Sequence, residues 1–452
     1  MKTFLVVRNT IRAALATVVA VQMSATAGYL VSAEMTTRPE TSESDSAVVP
    51  VWSQWRGPDR DGRVDGPLWP ETLGGLEQTW RVELGKGYGG PIVTEHRVFV
   101  TETVVTGSWP FDKTLARVRA FDRETGTEVW RREWLAEGRV PFYAARSGDW
   151  ERSTPAFDGK LLYLGDMKEV LRALDAETGQ DRWVLDVPDK FGEDTPSFGF
   201  ASSPMLFEGA LFAQASNGLI KVDPSTGTVL WRSMVSGSSV MNDGAFSSPI
   251  VAELDGVRQI VVFTRSELAG VDPDSGDVLW RQSVPNFRGM NIVTPTVYDG
   301  GIFISQYRNG SFFLRPPRVD PLSVDTEDVN FDVETVWTNK GSGYMSSPLV
   351  IGDHVYQHLG NGRLTSIDLR TGEENWRTRP MADYWSMVYQ GDRMLTLDSE
   401  GTLRLIRASP ERFDLIDELE VAKQTTWGHL AVSGDGVFVR ELEAISAFRW
   451  AD

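Results

Sequence analysis

The sequence predicts an all-β protein: an eight-bladed β-propeller of four-stranded antiparallel blades, closed by an N-terminal strand in the last blade. Three observations predict it. A turn motif ending in tryptophan recurs along the chain. A proline-containing marker precedes each recurrence. The strand missing from the last repeat lies in front of the first one.

The turn reads AFDRETGTEVW from Ala120 to Trp130, ALDAETGQDRW from Ala173 to Trp183 and KVDPSTGTVLW from Lys221 to Trp231. It returns as GVDPDSGDVLW from Gly270 to Trp280 and SIDLRTGEENW from Ser366 to Trp376. The first four tryptophans are spaced 53, 48 and 49 residues apart, and the gap of 96 to Trp376 leaves room for a degenerate copy ending at Trp337. The aspartates Asp122, Asp175, Asp223, Asp272 and Asp368 are placed to accept backbone N–H bonds, with the following glycine at positive φ. The tryptophans are expected to fill the wedge between neighbouring blades, each burying a large apolar area. The acidic residues of VDPDSGDVLW resemble part of a calcium loop. However, the chain runs on into a strand without the distal acidic ligand that such a loop needs.

The markers begin as GGPIV at Gly89, STPAF at Ser153, SSPML at Ser202 and SSPIV at Ser247. VTPTV at Val293 and SSPLV at Ser346 follow, with weaker forms WSMVY at Trp385 and GHLAV at Gly428. Between marker and turn lies a β-branched or aromatic strand, such as KLLYLGD, ALFAQAS, GIFISQY or HVYQHLG. His354 and His358 in the last of these are expected on one solvated face. An open solenoid is the structural alternative. Closure is favoured because the last unit has three strands, and LEQTWRV at Leu76 carries a Trp-Arg pair like those at Trp130, Trp231, Trp280 and Trp376.

Residues 1–33 read as a signal peptide, with cleavage near 27 or 33, and no lipid-attachment cysteine follows. The protein is expected to be exported, periplasmic or extracellular, with no transmembrane domain in the mature chain. Residues 34–75 read as a flexible lead-in and capping tether, and 76–452 as the propeller. In QWRGPDRDG, from Gln54 to Gly62, Trp55 is expected to pin the tether. Arg56 and Arg60 are expected to pair with Asp59, Asp61 or blade acids.

The formal charge of −18 excludes nucleic acid and anionic lipid headgroups as probable partners. With no cysteine and four dispersed histidines, thiolate chemistry and zinc sites are excluded or unsupported. No catalytic residue and no metal ligand is assigned.

Candidate binding residues lie just before the markers, where each chain segment enters the ring. They are Tyr88, Trp150, Glu151, Arg152, Asn242, Asp243, Arg288, Asn291, Tyr344, Trp385, Trp427 and His429, with Phe198, Phe200 and Tyr384 beside them. These residues form a ligand funnel, a docking rim or simply channel packing. Arg152 and Arg288, beside Glu151 and Asp243, are suited to an acidic organic ligand. The polar connection from Arg315 to Glu334 is expected to be an exposed excursion of the fifth blade.

The repeats resemble the pyrroloquinoline-quinone (PQQ)-like propeller superfamily, over about residues 76 to 450, and QWRGPDRDG resembles secreted bacterial members of it. The superfamily includes quinone-dependent alcohol and sugar dehydrogenases and a non-catalytic propeller lipoprotein of outer-membrane β-barrel assembly. The resemblance implies either an axial quinone with calcium and a catalytic aspartate, or partner binding through loops. This chain lacks the cysteine pair of some dehydrogenases, and no full Glu-Asn-Asp set matches their calcium motif. Asn242-Asp243 is a local candidate. A non-catalytic scaffold is therefore expected, monomeric and without a cofactor, binding an envelope or extracellular protein. The alternative is a PQQ-dependent dehydrogenase using calcium.

Overall fold

A computed structural model describes residues 51–107, 111–136, 138–236, 244–318 and 332–451. The signal-peptide reading, the acidic start of the lead-in, Asn242, Asp243 and most of the connection after Arg315 lie outside the described residues.

Eight sheets of four antiparallel strands make the ring. Blade 1 spans Ile92 to Leu135, blade 2 Ala156 to Asp186, blade 3 Met205 to Ser233 and blade 4 Ile250 to Ser283. Blade 5 spans Thr296 to Asn339, blade 6 Leu349 to Arg377 and blade 7 Trp385 to Glu420. Blade 8 takes three strands from Ala431 to Trp450, and its outermost strand is Leu76–Glu83. That strand pairs Val82 with Ile445 and Leu76 with Trp450, with an irregularity between Gln78 and Trp80. Closure thus covers the edge that the C-terminal strand would otherwise expose. Arg123 adds a second fastening, donating from blade 1 to the hydroxyl and carbonyl of Ser433 in blade 8.

The repeated turn works between blades. Asp272 Oδ1 accepts the N–H groups of Asp274 and Ser275, each at 2.8 Å, and Gly276 has φ +82°. Each turn glycine lies against the tryptophan of the preceding blade. A Cβ at Gly126 would stand 2.7 Å from Trp80, one at Gly179 2.6 Å from Trp130, and one at Gly227 2.7 Å from Trp183. The indole N–H groups of these tryptophans donate forward to Arg123 O at 2.8 Å, Ala176 O at 2.9 Å and Pro224 O at 2.7 Å. Trp337 repeats the arrangement with Gly372 and Leu369 O. Trp280 departs from it, because blade 5 carries no copy of the turn. Its N–H stays within its own blade, on Gln259 Oε1 at 2.5 Å, and its ring is fully buried. Burial is otherwise uneven: Trp80 and Trp183 are buried, while Trp130, Trp231 and Trp376 are only partly so.

The markers supply a hydrogen-bonded girdle. Backbone N–H groups donate to a hydroxyl in the next blade, from Gly90 to Thr154, Thr154 to Ser203 and Ser203 to Ser248. The sequence continues from Ser248 to Thr294 and from Thr294 to Ser347. Blades 7 and 8 reverse the sense, with Trp385 donating to Ser346 and Leu430 to Ser386. Buried inner-strand N–H groups need such acceptors because no further strand lies on their axial side. The solvated face expected for the two histidines is corrected at one of them. His358 is 2% exposed, its Nε2 is 3.0 Å from Ala382 O, and its ring stacks on Trp385 at 5.3 Å. It is the last residue of its strand, and His354, half-buried, is the first.

Candidate functional site

One end of the ring is closed by the segment from Trp52 to Val64. Trp52 exchanges two backbone hydrogen bonds with Val93 of blade 1, and Ser53 O accepts from Phe157 of blade 2. Gln54 Oε1 accepts from Leu206 N of blade 3 at 2.7 Å. Arg60 donates to Ser203 O, Pro204 O and Pro249 O at 3.1, 2.8 and 2.9 Å. Arg56 donates to Pro348 O at 2.5 Å and to Asp61 O at 3.0 Å. Val64 and Gly62 bond the backbone of Tyr389 in blade 7. The expected ion pairs of Arg56 and Arg60 with acids are therefore replaced by bonds to carbonyls. The marker prolines end in carbonyls that need donors, and a guanidinium offers five. Burial lowers the pKa of Arg60 to about 9 and that of Arg56 to about 10, the neighbouring Arg56 charge adding to the former effect.

Trp55 turns from this plug into the ring and forms the floor of an axial cavity of about 840 Å³. The plug guanidinium groups back it, Arg56 at 5.6 Å and Arg60 at 5.7 Å from its ring. His429 meets the same ring edge-on at 5.7 Å. Burial, then the Arg56 charge, holds the His429 imidazole down to about 3, so it is neutral at pH 7. The wall is aromatic. Tyr384 stacks on Trp427 at 5.3 Å with planes 4° apart, and Tyr88 tilts against Trp427 at 6.2 Å. Three arginines face the cavity, Arg152, Arg265 and Arg288, and no aspartate or glutamate is among the described lining residues. Arg265 is buried, with Nε on Gly289 O at 3.1 Å and its guanidinium 4.7 Å from the Phe246 ring.

Of the residues picked from sequence, Tyr88, Arg152, Arg288, Tyr344, Trp427 and His429 converge on this cavity, as do Phe198 and Tyr384. Others stand behind it. Trp150 packs on Tyr88 at 5.3 Å, and Asn291 is buried, bonding Thr264 O at 3.2 Å. Trp385 is fully buried between His358 and Arg404. Glu151 is buried, and desolvation, followed by the Asp166 charge, pushes its pKa well up. Sequence reasoning missed Trp55 as a floor, together with Tyr143, Phe246 and Arg265. Phe246 immediately precedes the marker at Ser247 and was legible. Arg265 comes from a turn between two strands and carries no such flag.

The described lining residues of the cavity include no carboxylate to hold the calcium of a quinone enzyme, and the local candidates Asn242 and Asp243 lie outside the described residues. Calcium takes six to eight oxygen ligands, usually including carboxylates. Among the described residues, no group of three or more His, Asp or Glu side chains could hold a metal ion.

Eight blades, seamed by aspartate–glycine turns against tryptophans and surrounding an axial pocket, define a propeller of the PQQ-like class. Residues 114–378 match the family described as outer membrane protein assembly factor BamB, and the chain belongs to that family. It is 22% identical over 343 residues to the BamB of Shewanella oneidensis, covering 72% of this chain and 67% of that one. It is 25% identical over 121 residues to tetrathionate hydrolase of Acidithiobacillus ferrooxidans, covering 26% of this chain and 22% of that protein's length. Among solved structures, BamB of Moraxella catarrhalis superposes with a TM-score of 0.56 at 15% identity, covering 83% of this chain and 97% of that one. A quinohemoprotein alcohol dehydrogenase of Pseudomonas putida gives 0.61 at 12%, covering 88% and 80%. At these identities the structural likeness is one of fold. No helix among the described residues is long and apolar enough to cross a membrane.

Proposed function

We propose that this protein is an exported, non-catalytic scaffold that docks an envelope protein at the pocket mouth, in outer-membrane assembly or a related envelope process. One observation carries the reading. The 3₁₀ turn Phe142–Ser147 presents Phe142 at 92% and Tyr143 at 62% exposure, ring against ring at 5.7 Å, and Tyr143 also lines the cavity. Large aromatics left in water beside a concave site mark a protein contact. Membership of an assembly-factor family supports the same reading. The absence of carboxylates among the described lining residues favours it over oxidation by quinone and calcium.

A photo-crosslinking residue at position 142, introduced in the native cell, tests it. A discrete adduct with an envelope protein, lost on Tyr143→Ser, is expected. The absence of any discrete adduct overturns the scaffold. So does substrate-dependent dye reduction after addition of quinone and calcium.

A further inference from the structure

The marker hydroxyls are only half used by the fold. Thr154, Ser203, Ser248, Thr294 and Ser347 each accept one backbone N–H from the preceding blade junction. A hydroxyl has one O–H donor and two acceptor positions. All five line the axial cavity, and none donates its proton to a group among the described residues. They stand at the entries to five consecutive blades, 2 to 6. All five are buried in the wall of the ring.

His429 adds the complementary group at the entry to blade 8. Its Nδ1 lies 2.8 Å from Leu430 O. A carbonyl only accepts, so Nδ1 carries the ring proton. The ring is neutral at pH 7, which leaves a lone pair on Nε2. Among the described residues no group bonds that nitrogen. The floor between these groups is the indole of Trp55, which His429 meets edge-on. Tyr384 and Trp427, stacked on each other, continue the apolar surface up the wall.

An occupant therefore meets an apolar platform with uncommitted donors on many sides and one acceptor. A wholly apolar ligand would displace water from the hydroxyls and return no hydrogen bond. A nucleobase stacks well on an indole, but its polar atoms occupy only part of its edge. A sugar ring has an apolar C–H face and hydroxyls around its whole edge, each both donor and acceptor. Selection by this bonding pattern needs no net charge in the lining. The plug closes one end, so the ligand enters by the mouth. About 840 Å³ lies within the usual range for ligand pockets, about 300–1,000 Å³.

We propose that the axial cavity binds a neutral mono- or disaccharide. One face of a sugar ring stacks on Trp55, and its hydroxyls bond the marker hydroxyls and His429 Nε2. This goes beyond docking at the mouth, which uses Phe142 and Tyr143 and none of these groups.

The test is calorimetric titration of the full chain with cellobiose, maltose, lactose and N,N′-diacetylchitobiose, and with adenosine as the planar competitor. At least one disaccharide is expected to bind with Kd below about 1 mM. Trp55→Ala is expected to weaken it by at least about tenfold. Thr294→Val keeps the side-chain shape and gives up the longest bond of the girdle, at 3.4 Å. It is expected to weaken binding by about fivefold, with recovery in Thr294→Ser. This conservative pair keeps the test decisive if Trp55→Ala loosens the plug. No heat from any disaccharide at about 10 mM, or parental affinity in Thr294→Val, overturns the proposal. Adenosine binding more tightly than every sugar overturns it in favour of a nucleoside. The crosslink at residue 142 is read separately, so the saccharide site and the scaffold fail independently.

Discussion

Gly276 lies against the indole of Trp231 in the preceding blade, where a Cβ at residue 276 would stand 2.8 Å from Cδ2. The same glycine sits at φ +82°. Its turn therefore serves two purposes: Asp272 shapes it, and the missing side chain lets the neighbouring blade approach. Gly276→Ala should cost about 1–2 kcal/mol from the left-handed backbone alone, with the steric term added. In a Trp231→Ala background only the backbone part should remain. Urea unfolding of the four proteins of this cycle measures the difference, and strict additivity would refute the contact.

Trp80 joins the two ends of the chain. It is buried, rests against Gly126, and donates to Arg123 O at 2.8 Å across the seam where the ring closes. Trp80→Ala should cost about 3–5 kcal/mol, the range for a large buried aromatic. Loosening this strand also frees the edge of Ala444–Trp450, so the variant should scatter light on warming before the parent does. Trp231→Ala should cost less, since that ring is only partly buried and its N–H has no acceptor among the described residues.

The seams were legible in the sequence because a glycine and a tryptophan recur with the blade period, and the closing strand carries the same Trp-Arg pair. The pocket was legible only in part. Residues preceding the markers do reach the axis, but the direction of each side chain decides which of them arrive. Arg152 faces the cavity while its neighbour Glu151 is buried behind, and Tyr384 does so while Trp385 packs on His358. The partners of Arg56 and Arg60 were not legible. They are backbone carbonyls, and no side-chain pairing in the sequence announces them.

Arg60 should be the most sensitive residue of the plug. Its side chain is buried and serves three carbonyls from blades 3 and 4. Arg60→Met fills similar volume but leaves these acceptors unmatched, at a cost of about 3 kcal/mol or more. Arg60→Lys keeps the charge and loses the fork, and should fall in between. Equilibrium unfolding checks the order, and a Met variant as stable as the parent would remove the plug's clamping role.

His358 should make stability depend on pH. Burial lowers its pKa from 6.5 to about 4, so the folded protein holds it neutral where the unfolded chain takes up a proton. Its contribution is complete above about pH 6.5 and is lost as pH falls to about 4, amounting to about 3 kcal/mol. Other groups titrate in the same range, so the readout is a difference. His358→Gln, measured against the parent by urea unfolding at several pH values, should lose less stability across that window. Parallel curves would show that the ring is not held neutral.

Glu151 should behave in the opposite sense. Desolvation and the Asp166 charge raise its pKa well above the ordinary carboxylate value, and Oε1 has no hydrogen-bond partner among the described residues. Its backbone is held independently, with N–H donating to Thr103 and the carbonyl accepting from Tyr88. A raised folded pKa gives stability that is fully present below the unfolded value and lost as pH rises through the folded one. Glu151→Gln removes that loss without changing shape. The variant should therefore match or exceed the parent in stability at pH 8, and the advantage should vanish near pH 4. Unfolding midpoints at the two pH values decide it. A variant weaker than the parent at pH 8 would mean that the carboxylate is charged and satisfied in the folded protein.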